Sequence, residues 1–519
     1  MLKVGRVLIF GPALFVSCAR VPPKIVPDNP VVIQEVRLEG FDVLPDEVRQ
    51  DLTDELPLRA GMTLDDEAEK RAGERAVEVL QNHGRPYAQV SLARQPIDAG
   101  HVRVVLRAEP GVLGFFGPID IAGNRRVDDG IIRRRLAYAP GDTFRRSAIE
   151  QTQQQIGTLG LFKSVEIRAQ NIDAQPSAVP TLITVEEQTP WQWNLGLSYA
   201  AGERLGVDGR ISHLNVGGTA GRIDLQGRLS QIERTGEVSF TQADTWHPAL
   251  SFSMQARYQE IDETAFFALS RGGQAAASWQ WTKELSSTVS YAVAREESDV
   301  EPSLAPLLGL QDGLLNAWAL DVHHRQLAET AAPGRTILLH VEQAGGWMPG
   351  TFYYFSVVGE ARHYRRAFGD RVQFASRLRL GSIDPPADED EIPLLKRFFL
   401  GGSNEMRGWG VYELSPLAAS GEPVGGLSLL TATIEARFPI FNRVRGAIFL
   451  EAGNVWQDPW TMRLGDLRYD AGPGLRFNTP FGLVRVDFGY QLRPLDGLRI
   501  DGQPQKSRWR FNFGIGEAF

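Results

Sequence analysis

The chain from Pro190 to its C-terminus alternates between apolar and polar residues, in stretches that recur about every 20 residues and are separated by turn residues. In the first stretch, WQWNLGLSYA, one face is made of Trp191, Trp193, Leu195, Leu197 and Tyr199. An alternation with a period of two indicates β-strands, and the length of this region gives about 16 of them. The sequence therefore predicts one large antiparallel β-structure.

A closed β-barrel in a membrane suits these strands best. After residue 17 the chain has no run of roughly 18 apolar residues, so it could span a membrane only as a closed barrel, which satisfies its backbone hydrogen bonds internally. Apolar faces rich in aromatic residues are typical of barrel surfaces that contact lipid. We therefore predict a transmembrane β-barrel of about 16 strands over residues 190–519. A soluble β-sandwich, the alternative, explains the alternation but not the number of strands.

The last predicted strand, SRWRFNFGIGEAF, alternates up to the final residue. Its apolar face contains Trp509, Phe511, Phe513, Ile515 and Phe519. An alternating strand that ends on an aromatic residue resembles the β-signal of outer-membrane proteins. Because interior glycines weaken a strand, we predict a weakly paired seam between the first and last barrel strands. The residues assigned to this seam are Gly196, Gly514, Gly516 and Phe519.

The first 30 residues have the composition of an export signal followed by a tether. Lys3 and Arg6 precede a short apolar run and small residues, which predicts a signal peptide over residues 1–17. The only cysteine, Cys18, follows in the segment FVSC, which resembles a bacterial lipobox and predicts a lipidated residue. An ordinary signal peptide with an incidental cysteine is the alternative. Four prolines predict a stiff tether over residues 18–30.

Residues 31–110 and 111–188 repeat one order of predicted elements, namely a strand, two helices and two strands. Thr63, with acidic residues just after it, predicts the start of the longer helix in the first unit. The core-facing residues of its first strand are Ile33, Val36 and Leu38. Corresponding turns carry glycines, which are Gly40, Gly61 and Gly84 in the first unit and Gly123, Gly141 and Gly160 in the second. We therefore predict two tandem α+β modules before the barrel.

The order of elements in these modules, with the segments GNRRV, PGDTF and LGLFKSVEI, resembles a POTRA domain. The resemblance implies two periplasmic modules that present a sheet edge to other chains. The physical basis is that an unpaired edge accepts an extended segment as an added strand. The alternative is that the modules are inert spacers.

The run FFLGGSNEMRGWG, residues 398–410, places a single arginine, Arg407, among glycines and aromatic residues. A guanidinium stays charged inside a protein, so a buried Arg407 requires carboxylate partners. Alternation in LLTATIEARFP and GAIFLEAGNVW points Glu435 and Glu451 into the barrel. We therefore expect a loop that folds into the lumen and places Arg407 between these carboxylates. A mobile external loop with Arg407 in water is the alternative.

The loop motif resembles a signature of the outer-membrane assembly superfamily that includes BamA and TamA. Its residues are Met406, Arg407, Gly408 and Trp409. The segment FLEAGNVW, in which Glu451 replaces the family's usual aspartate, and the segment GPGLRFNTPFGLVRVDFGY are similar to further family motifs. The similarity extends over residues 31–519, and it implies that Arg407 pairs with Glu451 and Glu435 inside the barrel.

The same resemblance implies a protein that inserts or exports other chains through its barrel and seam. It implies a bacterial outer-membrane location with the modules in the periplasm. It also implies a protein closer to TamA than to BamA, because the periplasmic part formed by the modules is short. The implied partners are unfolded outer-membrane or secreted proteins, outer-membrane lipid and a periplasm-spanning, TamB-like protein. No cofactor is implied.

Two other functions stay open. A two-partner secretion transporter, which exports one dedicated substrate, also joins two POTRA modules to a barrel, although a helix that plugs the lumen usually comes first. A barrel enzyme would gather serine, histidine and carboxylate at one rim, but the eight histidines are scattered and neither G-x-S-x-G nor a Cys/His metal spacing occurs.

The net charge of −8 provides no basic footprint for nucleic acid.

Overall fold

The computed structural model describes residues 31–515, except 99, 171–173, 201–203, 244, 264–265, 301–311, 328–332, 369–370, 387–391, 480–481 and 501. Several predictions lie outside the described residues, namely the signal peptide, Cys18, the tether, Gly516 and Phe519. Backbone contacts divide the chain into two compact units. Of the described residues, the first unit contains those up to Ala122 with those in Ala137–Gln154 and Glu166–Thr184, and the second unit contains those in Gly123–Leu136 and Gln155–Val165 and those from Val185 onward.

The first module has the predicted strand–helix–helix–strand–strand order. Its elements are β1 (Val32–Glu39), α1 (Asp46–Glu55), α2 (Asp66–Asn82), β2 (Gln89–Pro96) and β3 (His101–Glu109). The strands form a sheet in the order β1-β3-β2, with β1 parallel and β2 antiparallel to β3. Strand β2 therefore forms one edge of this sheet.

The core of the first module explains an irregular spacing in β1. Ile33 is fully buried, and Val36 and Leu38 pack against the same cluster, although Ile33 and Val36 are three positions apart. A register shift between Ile33 and Glu35 turns all three toward the core. The predicted helix start at Thr63 is wrong, because Thr63 bridges β1 at Val32 and Asp65 caps α2 instead.

The second module repeats this arrangement. Its elements are β4 (Phe115–Ala122), α3 (Asp129–Arg133), α4 (Arg146–Gly157), β5 (Phe162–Ala169) and β6 (Ala178–Glu187). The sheet order is β4-β6-β5, with β4 parallel to β6, so that β5 forms an edge as β2 does in the first module.

Two corresponding glycines, one in each module, adopt the same backbone conformation. Gly40 and Gly123 have φ angles of +80° and +94°, a conformation that side chains disfavour. A Cβ atom at Gly40 would overlap the carbonyl oxygen of Ala108, and one at Gly123 would overlap that of Val185. Both turns therefore require glycine for its backbone angle and for the close approach of the last strand.

The remaining strands close into a 16-stranded antiparallel barrel, as predicted. In chain order they are β7 (Trp191–Ala200), β8 (Arg204–Val216), β9 (Gly221–Leu229), β10 (Glu233–Gln242), β11 (Leu250–Glu263), β12 (Phe266–Gln280), β13 (Leu285–Val300), β14 (Asp312–Leu327), β15 (Pro333–Ala344), β16 (Tyr354–Ala367), β17 (Val372–Asp384), β18 (Ser428–Phe441), β19 (Val444–Trp456), β20 (Arg468–Thr479), β21 (Gly482–Gln491) and, after a short hairpin of β22 (Arg499–Ile500) and β23 (Gln503–Pro504), β24 (Trp509–Ile515).

The two faces of the barrel strands differ as the alternation predicted. Trp193 on β7 is 81% exposed and points outward, whereas Asn512 on β24 is 1% exposed and points into the barrel. Within the described residues, β24 and β7 close the barrel through the pairs Phe513–Tyr199 and Gly514–Ser198. No helix in the described part of the chain is long and apolar enough to cross a membrane.

Two glycines of the second module allow the stability cost of a positive φ angle to be measured separately from the cost of close packing. Gly123→Ala and Gly141→Ala introduce a side chain at the same φ angle of +94°, but only the position of Gly123 is crowded. We expect Gly141→Ala to cost about 1–2 kcal/mol and Gly123→Ala to cost about 1–3 kcal/mol more. Hydrogen exchange of the β4 and β6 amides in the full chain measures both effects. Equal costs would contradict the close approach to Val185.

Candidate functional site

Residues 392–427, in the connection between β17 and β18, fold back into the barrel, and we call them the lumen loop. Short β-bridges join distant parts of this loop, as between Leu400 and Leu414. Its apolar side packs against inward residues of the barrel wall. The buried loop residues of that cluster are Ile392, Phe398, Leu400, Met406, Trp409, Leu414 and Leu427. The loop is therefore part of the folded interior of the barrel.

Strand β18 brings a carboxylate into the lumen below this loop. Its inward residues Thr431, Thr433, Glu435 and Arg437 are at most 3% exposed, whereas Ile434 on the other face is 58% exposed. Opposite them on β19, Thr433 pairs with Glu451, and Glu435 pairs with Phe449. Glu435 and Glu451 therefore lie on neighbouring inward rows of two paired strands, within reach of one side chain between them.

Arg407 lies between these two carboxylates and is fully buried. Its Nη1 donates to Glu435 Oε2 at 2.7 Å, and its Nε donates to Glu451 Oε1 at 3.2 Å. The backbone N–H of Arg407 donates to the second oxygen of Glu451 at 2.6 Å. Glu451 therefore holds both the side chain and the backbone of the motif, through charge-assisted bonds that are about twice as strong as neutral ones.

An aromatic ring covers one face of the Arg407 guanidinium. Its central carbon lies 3.5 Å from the centre of the Phe449 ring, a cation–π contact on the inward face of β19. A side chain at Gly472 would overlap this ring and the backbone of Phe488. The glycine on β20 therefore makes room for the ring that supports Arg407.

The backbone of the motif is held by three further strands. The Gly408 N–H donates to Asp470 on β20 at 3.2 Å, and Gln491 on β21 donates to the Gly408 carbonyl at 2.8 Å. Asn512 on β24 donates to the Arg407 carbonyl at 3.0 Å. A side chain at Gly489 would overlap that carbonyl, so β21 can approach the motif this closely only with glycine there.

Further charged groups surround the first partners. Arg437 donates to Glu435 at 2.6 Å, and Arg476 joins Glu435 to Asp487 through contacts of 3.1 and 2.7 Å. We call the whole set the lumen cluster: Arg407, Arg437, Arg476, Glu435, Glu451, Asp470 and Asp487. Three guanidinium groups and four carboxylates nearly balance in charge. Removing one partner of such a buried network typically costs about 3–5 kcal/mol, because a charge is left uncompensated.

The predicted site contained Arg407, Glu435 and Glu451 but not Asp470, Asp487 and Asn512. The same alternation identifies the two aspartates as inward residues. On β21 the outward residues are Val484, Val486 and Phe488, which places Asp487 inward. On β20 the exposed Leu475 likewise places the even-numbered Asp470 inward. These aspartates lie on β20 and β21, whereas the predicted partners of Arg407 lie on β18 and β19.

The remaining predicted site residues lie apart from the lumen cluster or outside the described residues. Gly196 on β7 and Gly514 on β24 both face the lumen near the seam, where a Cβ atom would crowd Asp208 and Arg485 respectively. Trp409 is fully buried in the apolar cluster of the lumen loop, and so is Met406. Gly516, Phe519 and Cys18 are not among the described residues.

The arrangement is suited to holding a loop. Glu435 accepts hydrogen bonds from Arg407 of the loop and Arg437 of the wall, and Glu451 accepts from Arg407 and from the Thr433 hydroxyl. Within the part of the chain that the structure describes, no three His, Cys, Asp or Glu side chains are grouped as metal ligands. The lumen cluster is therefore an anchor with a defined geometry.

The anchor predicts a strong effect of Arg407→Lys. A single ammonium group keeps the charge but cannot reproduce a fork that bonds two carboxylates on different strands. A hydrogen bond to a charged group contributes about 1.5–3 kcal/mol, so we expect loop cleavage by added protease to become at least about tenfold faster. Heat-modifiable migration in gels should show that the barrel itself persists. The control is Arg463→Lys at an exposed position; equal cleavage of both variants would contradict the anchor.

Comparison with known proteins places this geometry in a family. A family model described as the Omp85 superfamily domain matches residues 215–519, and a POTRA model, described as a surface antigen variable number repeat, matches residues 115–188. The chain is 23% identical over 462 residues to the outer membrane protein assembly factor BamA of Neorickettsia risticii (strain Illinois). This alignment covers 85% of this chain and 60% of that protein. The chain therefore spans less than two thirds of the length of this curated relative.

Two solved structures share the fold. BamA from Haemophilus ducreyi, lacking POTRA domains 1–3, superposes with a TM-score of 0.76 at 16% identity, over 94% of this chain and 99% of that one. CdiB from Acinetobacter baumannii superposes with a TM-score of 0.52 at 14% identity, over 95% and 90% of the two chains. These likenesses confirm the predicted architecture of POTRA modules and barrel. Since the Omp85 model covers more than half of the sequence, the chain belongs to the Omp85 superfamily.

Proposed function

We propose that this protein assembles other proteins in the bacterial outer membrane and is not an enzyme. The observation that carries the proposal is the lumen loop, which Arg407 ties to Glu435 and Glu451 inside a closed barrel of this superfamily. The barrel lies in the outer membrane, and the modules lie in the periplasm. Its clients are unfolded outer-membrane or secreted chains, which it receives from the periplasm.

The edge strand β2 offers a place where such chains first bind. A groove of about 840 Å³ lies along α2 and β2, with Val90 and Leu92 on its floor. A Cβ atom at Gly73 would lie 2.9 Å from a terminal methyl carbon of Leu92, so α2 packs closely on β2 at this point. An extended client segment can add to the free edge through backbone hydrogen bonds and place alternate side chains in the groove.

The seam between β7 and β24 is the proposed exit toward lipid. Gly196 and Gly514 face the lumen on the two strands that meet there, and glycine lowers the stability of a strand interior. A seam that opens exposes the free backbone groups of β7, which can then template an incoming strand. The seam as the route of insertion into outer-membrane lipid, like a TamA-like role with a periplasm-spanning, TamB-like partner, is part of the proposal.

A dedicated secretion pore is the second candidate. The structure describes two three-stranded module sheets before a 16-stranded barrel, and this arrangement equally suits a transporter that exports one substrate. In that case the lumen loop would have to leave the barrel for the substrate to pass. The module bounds 31–110 and 111–188, the barrel bounds 190–519 and the lipidated Cys18 stay predictions under either function.

Depletion of the protein from its host tests the proposal directly. We expect the amounts of many unrelated β-barrel proteins in the outer membrane to fall, and a plasmid copy with Arg407→Ala to restore them poorly despite normal membrane insertion. Quantitative proteomics of outer-membrane fractions measures both. Loss of one secreted protein with the barrel proteins unchanged would contradict assembly and favour the dedicated pore.

Binding at the module edge has its own test. A photo-crosslinking residue at Ser91, an exposed position on the edge strand β2, should capture newly exported barrel proteins. The photo-crosslinking residue placed instead at Asp51, an exposed position on α1, serves as the matched control because a helix offers no strand edge. Equal capture at both positions would contradict strand addition to β2 and leave the modules as spacers.

A further inference from the structure

A second buried ion pair joins the lumen loop to the last barrel strand. Arg510 of β24 donates from Nη2 to both carboxylate oxygens of Glu413, at 3.2 and 2.9 Å. Both side chains are only 9% exposed. The same carboxylate accepts the backbone N–H of Gly410, which directly follows the loop motif, at 2.7 Å. Glu413 therefore connects the motif to the strand that closes the barrel.

We propose that Glu413 and Arg510 form a latch that couples the seating of the lumen loop to the position of β24. The two residues are positioning residues, since they act on the motif and on the seam through the backbone that they hold. The proposal rests on the proposed function in one respect. If the seam between β24 and β7 opens, either the Glu413–Arg510 ion pair breaks or the lumen loop moves together with β24.

The inward face of β24 is used by the loop at two successive positions. Arg510 bonds Glu413, and the next inward residue, Asn512, bonds the carbonyl of Arg407. The following inward position is Gly514, whose missing side chain leaves room for Arg485 of β21. Arg485 in turn donates to the Ser403 carbonyl at 2.8 Å and to Asn404 at 2.5 Å, which are both loop residues. The closing strand and its neighbour therefore share their lumen contacts with the loop.

On the other side of the seam, the described side chains of β7 lack such contacts. The inward residues Gln192 and Asn194 of β7 are exposed, and none of the hydrogen bonds among the described residues joins β7 to the lumen loop. Strand β24 is thus fixed to β21 by pairs from Val484–Ile515 to Tyr490–Trp509, and to the loop by the latch. Loosening of the loop should therefore loosen β24 before it affects β7.

Burial makes the latch a coupling element and not a surface ion pair. If β24 moves outward, the Glu413 carboxylate loses its ion pair with Arg510 but keeps its bond to the Gly410 N–H, and the loss of a guanidinium partner at a buried carboxylate is unfavourable. Conversely, if the loop leaves the lumen, Arg510 loses its carboxylate on an inward face that the loop had covered. Each movement therefore favours the other, which is what thermodynamic coupling requires.

Hydrogen exchange of the purified full-length protein in lipid, without any client, tests the latch. We expect Glu413→Gln to raise exchange at least tenfold in residues 403–414 and in β24 together, with β18 to β20 unchanged. Arg510→Lys keeps a charge on β24 and should give a smaller rise in the same two segments. Glu422→Gln is the matched control, because Glu422 is a loop carboxylate that accepts only from the nearby Ser420 hydroxyl among its described side-chain bonds.

Three outcomes decide the proposal. A joint rise in the loop and β24 that Arg510→Lys reproduces more weakly supports the latch. A rise in the loop alone, or a response of β24 equal to that of Glu422→Gln, overturns it. If Glu413→Gln does not fold, Arg510→Lys alone decides, because unchanged exchange in both segments contradicts coupling. Since no client is present, a failure of the latch is distinct from a failure of the assembly function, which the depletion experiment measures.

Discussion

The buried charge of Arg407 is the constraint on which the rest of the barrel interior depends. A guanidinium that is fully buried remains charged, so the loop can occupy the lumen only if the wall supplies carboxylates at matching positions. Glu435 and Glu451 meet this requirement from two paired strands. Arg437 and Arg476 then balance the wall carboxylates, and the cluster remains paired as one unit.

This arrangement depends on the register of the C-terminal strands. Because side chains alternate with a period of two, a slip of one residue in β19 would turn Glu451 toward lipid and Leu450 toward Arg407. The positions of β20 and β21 are constrained as well. Larger residues at Gly472 on β20 and Gly489 on β21 would overlap Phe449 or the motif backbone. The loop and the strands that it contacts therefore specify one another.

The alternation predicted the barrel, its two faces and the Arg407 partners, because period and face follow from sequence order alone. The repeated turn glycines predicted the two modules for the same reason, and all six have positive φ angles. The contacts of Asn512 and of the Glu413–Arg510 pair could not be predicted in this way. They depend on the path of the lumen loop through the barrel, which no periodicity in its glycine-rich sequence describes.

The most direct measurement of the central account is hydrogen exchange at the motif itself in the unmodified protein. The amides of Arg407 and Gly408 lie outside regular strands, yet they donate to Glu451 and Asp470 in the barrel interior. We expect both amides to exchange as slowly as amides of β19, and we expect Glu451→Gln to speed the exchange of both while β19 stays protected. Fast exchange of these amides in the unmodified protein would contradict a loop anchored in the lumen.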